Sequence, residues 1–273
     1  MNELSDQDGR AKRSPKGINA VEIGYRVLLA VQLGPGSVPL SDIARHAGLS
    51  AGAAHNYLAS LVRTGLVERE DRGRYRLGPS AFALSQASFR VLNGYDVMRN
   101  EAHALHDLTG ETVTVSVWSQ GGPITIYILR ARTPSSLPIR PGQLSLLSSG
   151  SGFLCIAYLP ESETRALVES ELAVAGDPRD YAAVVARARE MVAPFGHIRF
   201  TYGAPLPFSL NIPIWTNENE IPFLFSLVVH QPIDEATEAQ WVNMMKAAAD
   251  RASYLVAQSD ARGPRAVMER PRG

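Results

Sequence analysis

The stretch from residue 40 to residue 78, LSDIARHAGLSAGAAHNYLASLVRTGLVEREDRGRYRLG, constrains the fold more than any other part of the chain. LSDIARHAG predicts a short helix with Ser41 as N-cap, an apolar side of Leu40, Ile43, Ala44 and Ala47, and Gly48 as the stop, since glycine accepts the left-handed conformation a helix end requires. Leu49 and Ser50 turn the chain into a second helix with an inward stripe of Ala54, Leu58, Leu61 and Val62 and a stop at Gly65. LVEREDRGRYRLG then reads as two short strands around a turn at Asp71, Arg72, Gly73 and Arg74. Upstream, NAVEIGYRVLLAVQL places Val21, Tyr25, Leu28 and Leu29 at helical spacing and ends at GPGS. Helix, helix, turn, helix and two-stranded ribbon is the order of a winged helix-turn-helix.

In such a unit the last helix faces nucleic acid with its outward positions, here Gly52, Ala53, His55, Asn56, Ser60 and Arg63. Its first turn is nearly bare of polar side chains. Small residues let the backbone approach a groove, where free N–H groups and the partial positive charge of a helix N-terminus favour phosphate. An Ala methyl can pack on a thymine methyl, and Asn56 is the residue type that pairs bidentately with adenine. A phosphate contact by Asn56 is the equal alternative. Arg72 and Arg74 flank the ribbon tip, where phosphates or a minor groove are met. The DNA-binding set is therefore Ser41, Ser50, Gly52, Ala53, His55, Asn56, Arg63, Arg72 and Arg74.

Charge supports the assignment. The net charge is zero, but residues 1–90 hold 12 Lys and Arg against 8 Asp and Glu, and the remainder holds 15 against 19. Such asymmetry fits a nucleic-acid-binding module joined to an acidic one. No run is long enough to span a membrane, the N-terminus has no apolar signal region, and a single cysteine excludes an intrachain disulfide framework. A cytoplasmic location follows as an expectation, with no membrane association.

Five regions are expected: a flexible basic arm over 1–17, the winged unit over 18–78, a linker helix over 79–95, an effector-binding domain over 96–258, and a disordered tail over 259–273. The linker stretch SAFALSQASFRVLNG exposes Phe82, Leu84, Phe89 and Leu92, which a partner subunit would cover. Beyond it come a helix ended by Gly110, a hairpin in TVTVSVWSQGGPITIYILRA, helices in ESETRALVES and YAAVVARAREMV, strands around LPFSLNIPIW and EIPFLFSLVVH, and a long final helix. Interleaved helices and hairpins predict an α+β class with an antiparallel sheet flanked by helices.

The corner LSLLSSGSG supplies Ser148, Ser149, Gly150, Ser151 and Gly152 ahead of the apolar FLCIAYL, an arrangement suited to a small anionic group at a helix N-terminus. With Leu146, Trp118, Ser209, Asn211 and Ser226 these form the expected effector site, and Trp118, Tyr127, Phe208 and Phe225 are its candidate aromatic walls, or else core. Ser151 between two glycines also suggests a nucleophile, but Ser149 stands where that motif needs glycine. Cys155 reads as a buried apolar residue. His103 and His106 lack the further ligands a metal requires, so neither metal nor cofactor is expected.

On the runs NAVEIGYRVLLAV, PLSDIARHAGLS and AHNYLASLVRTGLVEREDRGRYRLGPSAFAL the chain resembles the winged-helix domain of IclR-type bacterial transcriptional regulators. TGETVTVSV, LSLLSSGSGFLCIAYLPESE and the final strand pair resemble that family's effector-binding domain, which is similar to GAF domains. The resemblance covers roughly 18–258. It implies a homo-oligomer, a dimer or dimer of dimers, that binds operator DNA and changes occupancy with a small organic acid or aromatic metabolite, without catalysis. Two departures concern the functional surfaces. The family's Lys-Ser-Thr-Val-His-Arg type of run is here Ala51-Gly52-Ala53-Ala54-His55-Asn56, and its His-Ala-Thr-Ala-Leu-Gly-Lys corner is Leu147-Ser148-Ser149-Gly150-Ser151-Gly152-Phe153. Leu147 and Phe153 in place of polar residues predict a less polar ligand, an aromatic acid or amide. The alternatives are a hydrolytic enzyme built on the Ser/Gly corner and a DNA-binding protein without a ligand.

Overall fold

A computed structural model describes residues 17–33, 36–92, 94–132, 139–193, 196–203, 207–215 and 223–258. The expected arm over 1–16 and tail over 259–273 lie outside them. The chain forms two compact units that meet between residues 88 and 89.

In the first unit, α1 (Asn19–Gln32), α2 (Leu40–Ala47) and α3 (Ala51–Arg63) enclose a core of Val27, Val31, Ile43, Leu58 and Tyr75. Truncating the fully buried Leu58 to Ala would cost about 2–5 kcal/mol. Strands β1 (Val38–Pro39), β2 (Val67–Glu70) and β3 (Arg74–Leu77) form an antiparallel sheet in the order β1-β3-β2. Tyr75 is opposite both Val38 and Arg69, and its buried ring fastens the ribbon to the helices. Gly48 takes φ +66° and its N–H caps α2. Leu49 N then donates to Ala44 O at 2.9 Å, so the turn into α3 is set by backbone bonds.

Three expectations are corrected here. Ser41 does not cap α2: the helix begins at Leu40 with Pro39 at the N-cap, and Ser41 lies exposed in the first turn. On α1 the buried stripe is Val27, Ala30 and Val31, at i, i+3 and i+4, whereas Val21 and Tyr25 are exposed. On α3 only Ala54 and Leu58 are fully buried, and Val62 is exposed.

Helix α4 (Pro79–Val91) crosses the division between the units. The second unit is α+β. Its strands β4 (Thr112–Ser119), β5 (Gly122–Leu129), β6 (Gly142–Gln143), β7 (Ile198–Thr201), β8 (Phe208–Ile214) and β9 (Phe223–Val229) form an antiparallel sheet in the order β6-β5-β4-β9-β8-β7. β8 and β9 are buried along their whole length, as expected of central strands covered on both faces. One set of alternate residues, including Val113, Val115, Leu210, Ile212, Phe225 and Leu227, packs with α5 (Tyr95–Thr109) and α9 (Glu235–Gln258). Against the opposite face lie α6 (Gly150–Tyr158), α7 (Glu161–Ala175) and α8 (Tyr181–Glu190), with Leu224 and Ile198 in their core.

That second face also carries a polar row. Asn211 on β8 is in register with Ser226 on β9, which is in register with Thr114 on β4. All three are nearly inaccessible. Polar groups so deep in a sheet are costly unless bonded, and they mark where the apolar packing of this face is interrupted.

Candidate nucleic-acid interface and effector cavity

At the start of α3, the Ser50 side chain accepts a hydrogen bond from Ala53 N at 3.3 Å. The N–H groups of Ala51 and Gly52 have no intrahelical acceptor, as for any first turn, and no acidic residue stands there to neutralise the helix end. A Cβ placed on Gly52 would meet nothing within 4 Å, so packing inside the unit does not require glycine at this position. His55 and Asn56 are exposed, and neither side chain has an intramolecular partner among the described residues. Ala53 is half-buried. Arg63 is exposed but donates to Ser60 Oγ at 3.3 Å.

The ribbon separates its arginines. Arg72, at the tip, has φ +61° and a guanidinium without an internal partner among the described residues. Arg74 differs from the expectation of a free phosphate-seeking cation. Its Nε donates to Ser37 Oγ at 3.0 Å and its Nη2 to Ser37 O, tying the ribbon to the segment before β1. Arg76 is bound to Glu68 and Glu70, at 2.8 and 3.0 Å, and the neighbouring carboxylates raise its pKa. Arg69, which was not among the expected contacts, is exposed without a partner among the described residues. The one available signal was its position in an alternating strand.

In the second unit a cavity of about 280 Å³ lies above the polar row. Thr114 of β4, Thr125 of β5 and Ser226 of β9 line it, together with Ser148, Ser149 and Ser151 at the corner. Ser145, Tyr202, Gln143 and Arg140 complete its polar lining among the described residues, and Ile139, Pro141, Leu144 and Val228 are its apolar contacts. Thus Ser148, Ser149, Ser151 and Ser226 of the expected set meet at one cavity. Thr114, Thr125, Arg140 and Tyr202 were missed. The alternation in TVTVSV marked Thr114, but Arg140 and Tyr202 arrive through tertiary folding.

Six of the expected effector residues serve the packing around the cavity instead of lining it. Leu146 is buried, and its N–H donates to Glu171 Oε1 at 2.8 Å. A Cβ on Gly150 would overlap the Asn211 carboxamide, and one on Gly152 would reach the Leu146 backbone. Asn211 Nδ2 donates to Ile198 O at 3.1 Å and to Ser209 Oγ at 2.9 Å. Its buried Oδ1 has no partner among the described residues. Trp118 packs in the core with α6 and donates to Glu163 at 3.2 Å.

The other candidate walls also lie elsewhere. Phe208 and Phe225 belong to the core under α5 and α9, and Tyr127 bonds His103 Nε2 at 2.9 Å. Leu147 and Phe153 join the packing around α6 and do not line the cavity, which removes the basis for a less polar ligand. Ser151 Oγ lies 3.0 Å from Ser226 Oγ, not from a base able to take its proton. Burial pushes the Cys155 thiol up, away from the reactive thiolate. His106 Nδ1 faces Glu111 O at 2.8 Å, and no metal-binding cluster occurs among the described residues. Nor is any described helix long and apolar enough to cross a membrane.

The family model of the IclR helix-turn-helix domain matches residues 20–71. The chain is similar to the probable HTH-type transcriptional regulator ArcR of Halobacterium salinarum, 26% identical over 62% of this chain and 64% of that protein. To the glycerol operon regulatory protein of Streptomyces coelicolor it is 31% identical over 56% of this chain and 61% of that one. The matches thus span less than two thirds of these relatives' lengths. Among solved structures, the IclR transcriptional regulator from Alicyclobacillus acidocaldarius has the same fold, with a TM-score of 0.70 at 19% identity, covering 89% of this chain and all of that one. A matched helix-turn-helix domain over residues 20–71, relatives whose similarity extends beyond it, and a shared fold make the chain similar to IclR-type transcriptional regulators.

Proposed function

We propose that the protein binds operator DNA through α3 and the β2–β3 ribbon, and that a small anionic metabolite in the second unit's cavity controls this binding. The observation that carries the DNA reading is the first turn and a half of α3: an uncluttered N-terminus followed by exposed, unpartnered His55 and Asn56. Asn56 reads a base, with His55 in support, while Arg72 and Arg63 hold phosphate. Arg74 orients the ribbon. Exposed Ile18, Val21 and Tyr25 on or beside α1, and Phe82 and Leu84 on α4, are 59–69% accessible and supply an apolar surface for a second copy of the chain. A symmetric dimer would present two α3 helices to a two-part operator.

The cavity offers the Arg140 guanidinium to an anion. Coupling to DNA requires that the ligand prefer one arrangement of the protein, and a tenfold change in DNA affinity needs about 1.4 kcal/mol of preference. α4 is the proposed carrier. Its Phe89 stacks on Tyr95 with ring centroids 4.7 Å apart, and Tyr95 meets the Tyr127 ring edge-on at 6.3 Å. Tyr127 and the cavity-lining Thr125 sit on either side of the β5 irregularity. In this proposal a change at the cavity passes along β5 to Tyr127 and through these rings to the end of α4.

The test is operator selection followed by binding to base-substituted sites at several salt concentrations. Asn56→Ala should cost about 1–3 kcal/mol at one base pair per half-site and relax preference there. Arg72→Ala should weaken binding to all sequences and lower the salt dependence by about one ion. A second unit that, alone, retains operator binding equal to the full chain's would refute the reading.

A further inference from the structure

Building on the effector reading above, we infer that the cavity takes a small polyhydroxylated aliphatic acid, the chemistry of a sugar acid, in preference to an aromatic acid. The argument is a count of unspent hydrogen-bonding capacity. Each hydroxyl has one proton to donate and two lone pairs. Ser151 and Ser226 bond each other at 3.0 Å, as do Ser116 and Thr125 at 3.2 Å, so each pair keeps one free proton. Ser209 donates to Tyr202 Oη at 3.3 Å, leaving the tyrosine proton free. The side chains of Thr114 and Ser148 have no internal partner among the described residues.

The remaining corner hydroxyls are already committed. Ser149 Oγ donates to Ser145 O and accepts from Gly152 N, while Ser145 Oγ donates to Glu171. Glu171 also accepts from Leu146 N and Leu147 N, so its carboxylate is occupied by the corner and does not line the cavity. The open capacity is therefore donor-rich: among the described residues it holds hydroxyls on β4, on β9, at the corner and on Tyr202, with one cation at Arg140 and no carboxylate.

An aromatic acid would engage Arg140 and then leave Thr114 and the two hydroxyl pairs facing carbon. Buried donors deprived of water and given no acceptor oppose binding. A chain of hydroxyl-bearing carbons supplies acceptors in several directions and donors for the spare lone pairs. The volume, at the low end for ligand cavities, suits a short chain. A site built around hydroxyl partners also rejects analogues that lack them.

Calorimetric titration of the full chain with gluconate, glucuronate, hexanoate and 4-hydroxybenzoate tests the inference. At least one hydroxylated acid should bind, hexanoate and 4-hydroxybenzoate should bind at least tenfold more weakly, and Thr114→Val and Ser226→Ala should each weaken the hydroxylated acid about tenfold. Thermal melting identifies any variant that loses its fold. If hexanoate or 4-hydroxybenzoate binds as tightly as the hydroxylated acids and Arg140→Ala abolishes that binding, the ligand class is overturned while the effector cavity stands. If an acid binds and neither Arg140→Ala nor the hydroxyl variants alter its affinity, both the class and the cavity assignment fail. Absence of binding by all four acids overturns the class. Under that result, a Ser148→Trp variant whose DNA binding is also unchanged removes the cavity from regulation altogether.

Discussion

α3 and α6 begin alike and end up doing different work. Each follows a serine whose hydroxyl caps its third residue, Ser50 on Ala53 N at 3.3 Å and Ser149 on Gly152 N at 3.0 Å, and each opens with small residues. A Cβ on Gly52 would project into open space, whereas one on Gly150 would overlap the Asn211 carboxamide. Similar local sequence therefore prepares a surface for an external partner in one unit and a seat for a neighbouring strand in the other. A small residue at a helix start has no single meaning; what faces it decides.

The sharpest test of this comparison is the same substitution at both sites. Gly150→Ala should destabilise the second unit by about 1–3 kcal/mol in chemical denaturation, since a packed carboxamide must move. A bulkier Gly150→Trp would unfold it and is unusable as a probe of ligand binding. Gly52→Ala should leave stability unchanged or raise it by under about 1 kcal/mol, by replacing a poor helix former. Any loss of DNA affinity in that variant would then report close groove approach directly. Equal destabilisation at the two glycines would remove the distinction.

The caps form a second, smaller pair. Ser149→Ala removes a hydroxyl that both accepts from Gly152 N and donates to Ser145 O at 2.7 Å, inside a buried corner. Ser50→Ala removes a single exposed bond. Cap losses lie between about 0.5 and 2 kcal/mol. Ser149→Ala should fall at the upper end and Ser50→Ala at the lower, as read from denaturant midpoints at unchanged slope.

pH gives the smallest effect and belongs to the second unit. Burial lowers the pKa of His197, with Glu238 opposing, and lowers that of His230. Both rings take a proton more readily in the unfolded chain, so their contribution is complete above the ordinary value of 6.5 and declines as the pH falls below it. Glu111 acts in the opposite sense: burial raises its pKa, so its contribution is complete below 4.5 and is lost as the pH rises through the shifted value. Acidification from pH 7.5 to 5.5 should lower the second unit's melting temperature by a few degrees, and His197→Gln should reduce that slope. A melting temperature that rises over this interval would contradict the assignment of the buried rings.

The comparison also explains what was legible beforehand. In the winged unit the groups of interest lie on one short helix and one ribbon, so periodicity and turn residues nearly suffice to locate them. Even there, Ser41 was misread because Pro39 is the N-cap and the helix starts two residues earlier, and Arg74 because its partner, Ser37, is distant in sequence. The cavity draws on β4, β5, β9, the corner and Tyr202. Its serines at 148, 149, 151 and 226 were marked by composition, but nothing local separates them from Gly150, Ser209 and Asn211, which support packing around it. Nor does local pattern reveal that Leu147 and Phe153 turn into the α6 core.

The sequence by itself determined the order of elements, the Gly48 turn into α3, the ribbon and the antiparallel second unit, because each follows from backbone preferences and apolar spacing over a few residues. Only the tertiary structure decided that the polar residues Asn211, Ser226 and Thr114 align across three strands, that their neighbours spend some hydroxyls and spare others, and that Arg140 stands over them as the cavity's cation. Those facts depend on strand register and on which groups fold against one another. The free energy of a buried polar group is fixed by the partner it finds, which a linear pattern does not specify.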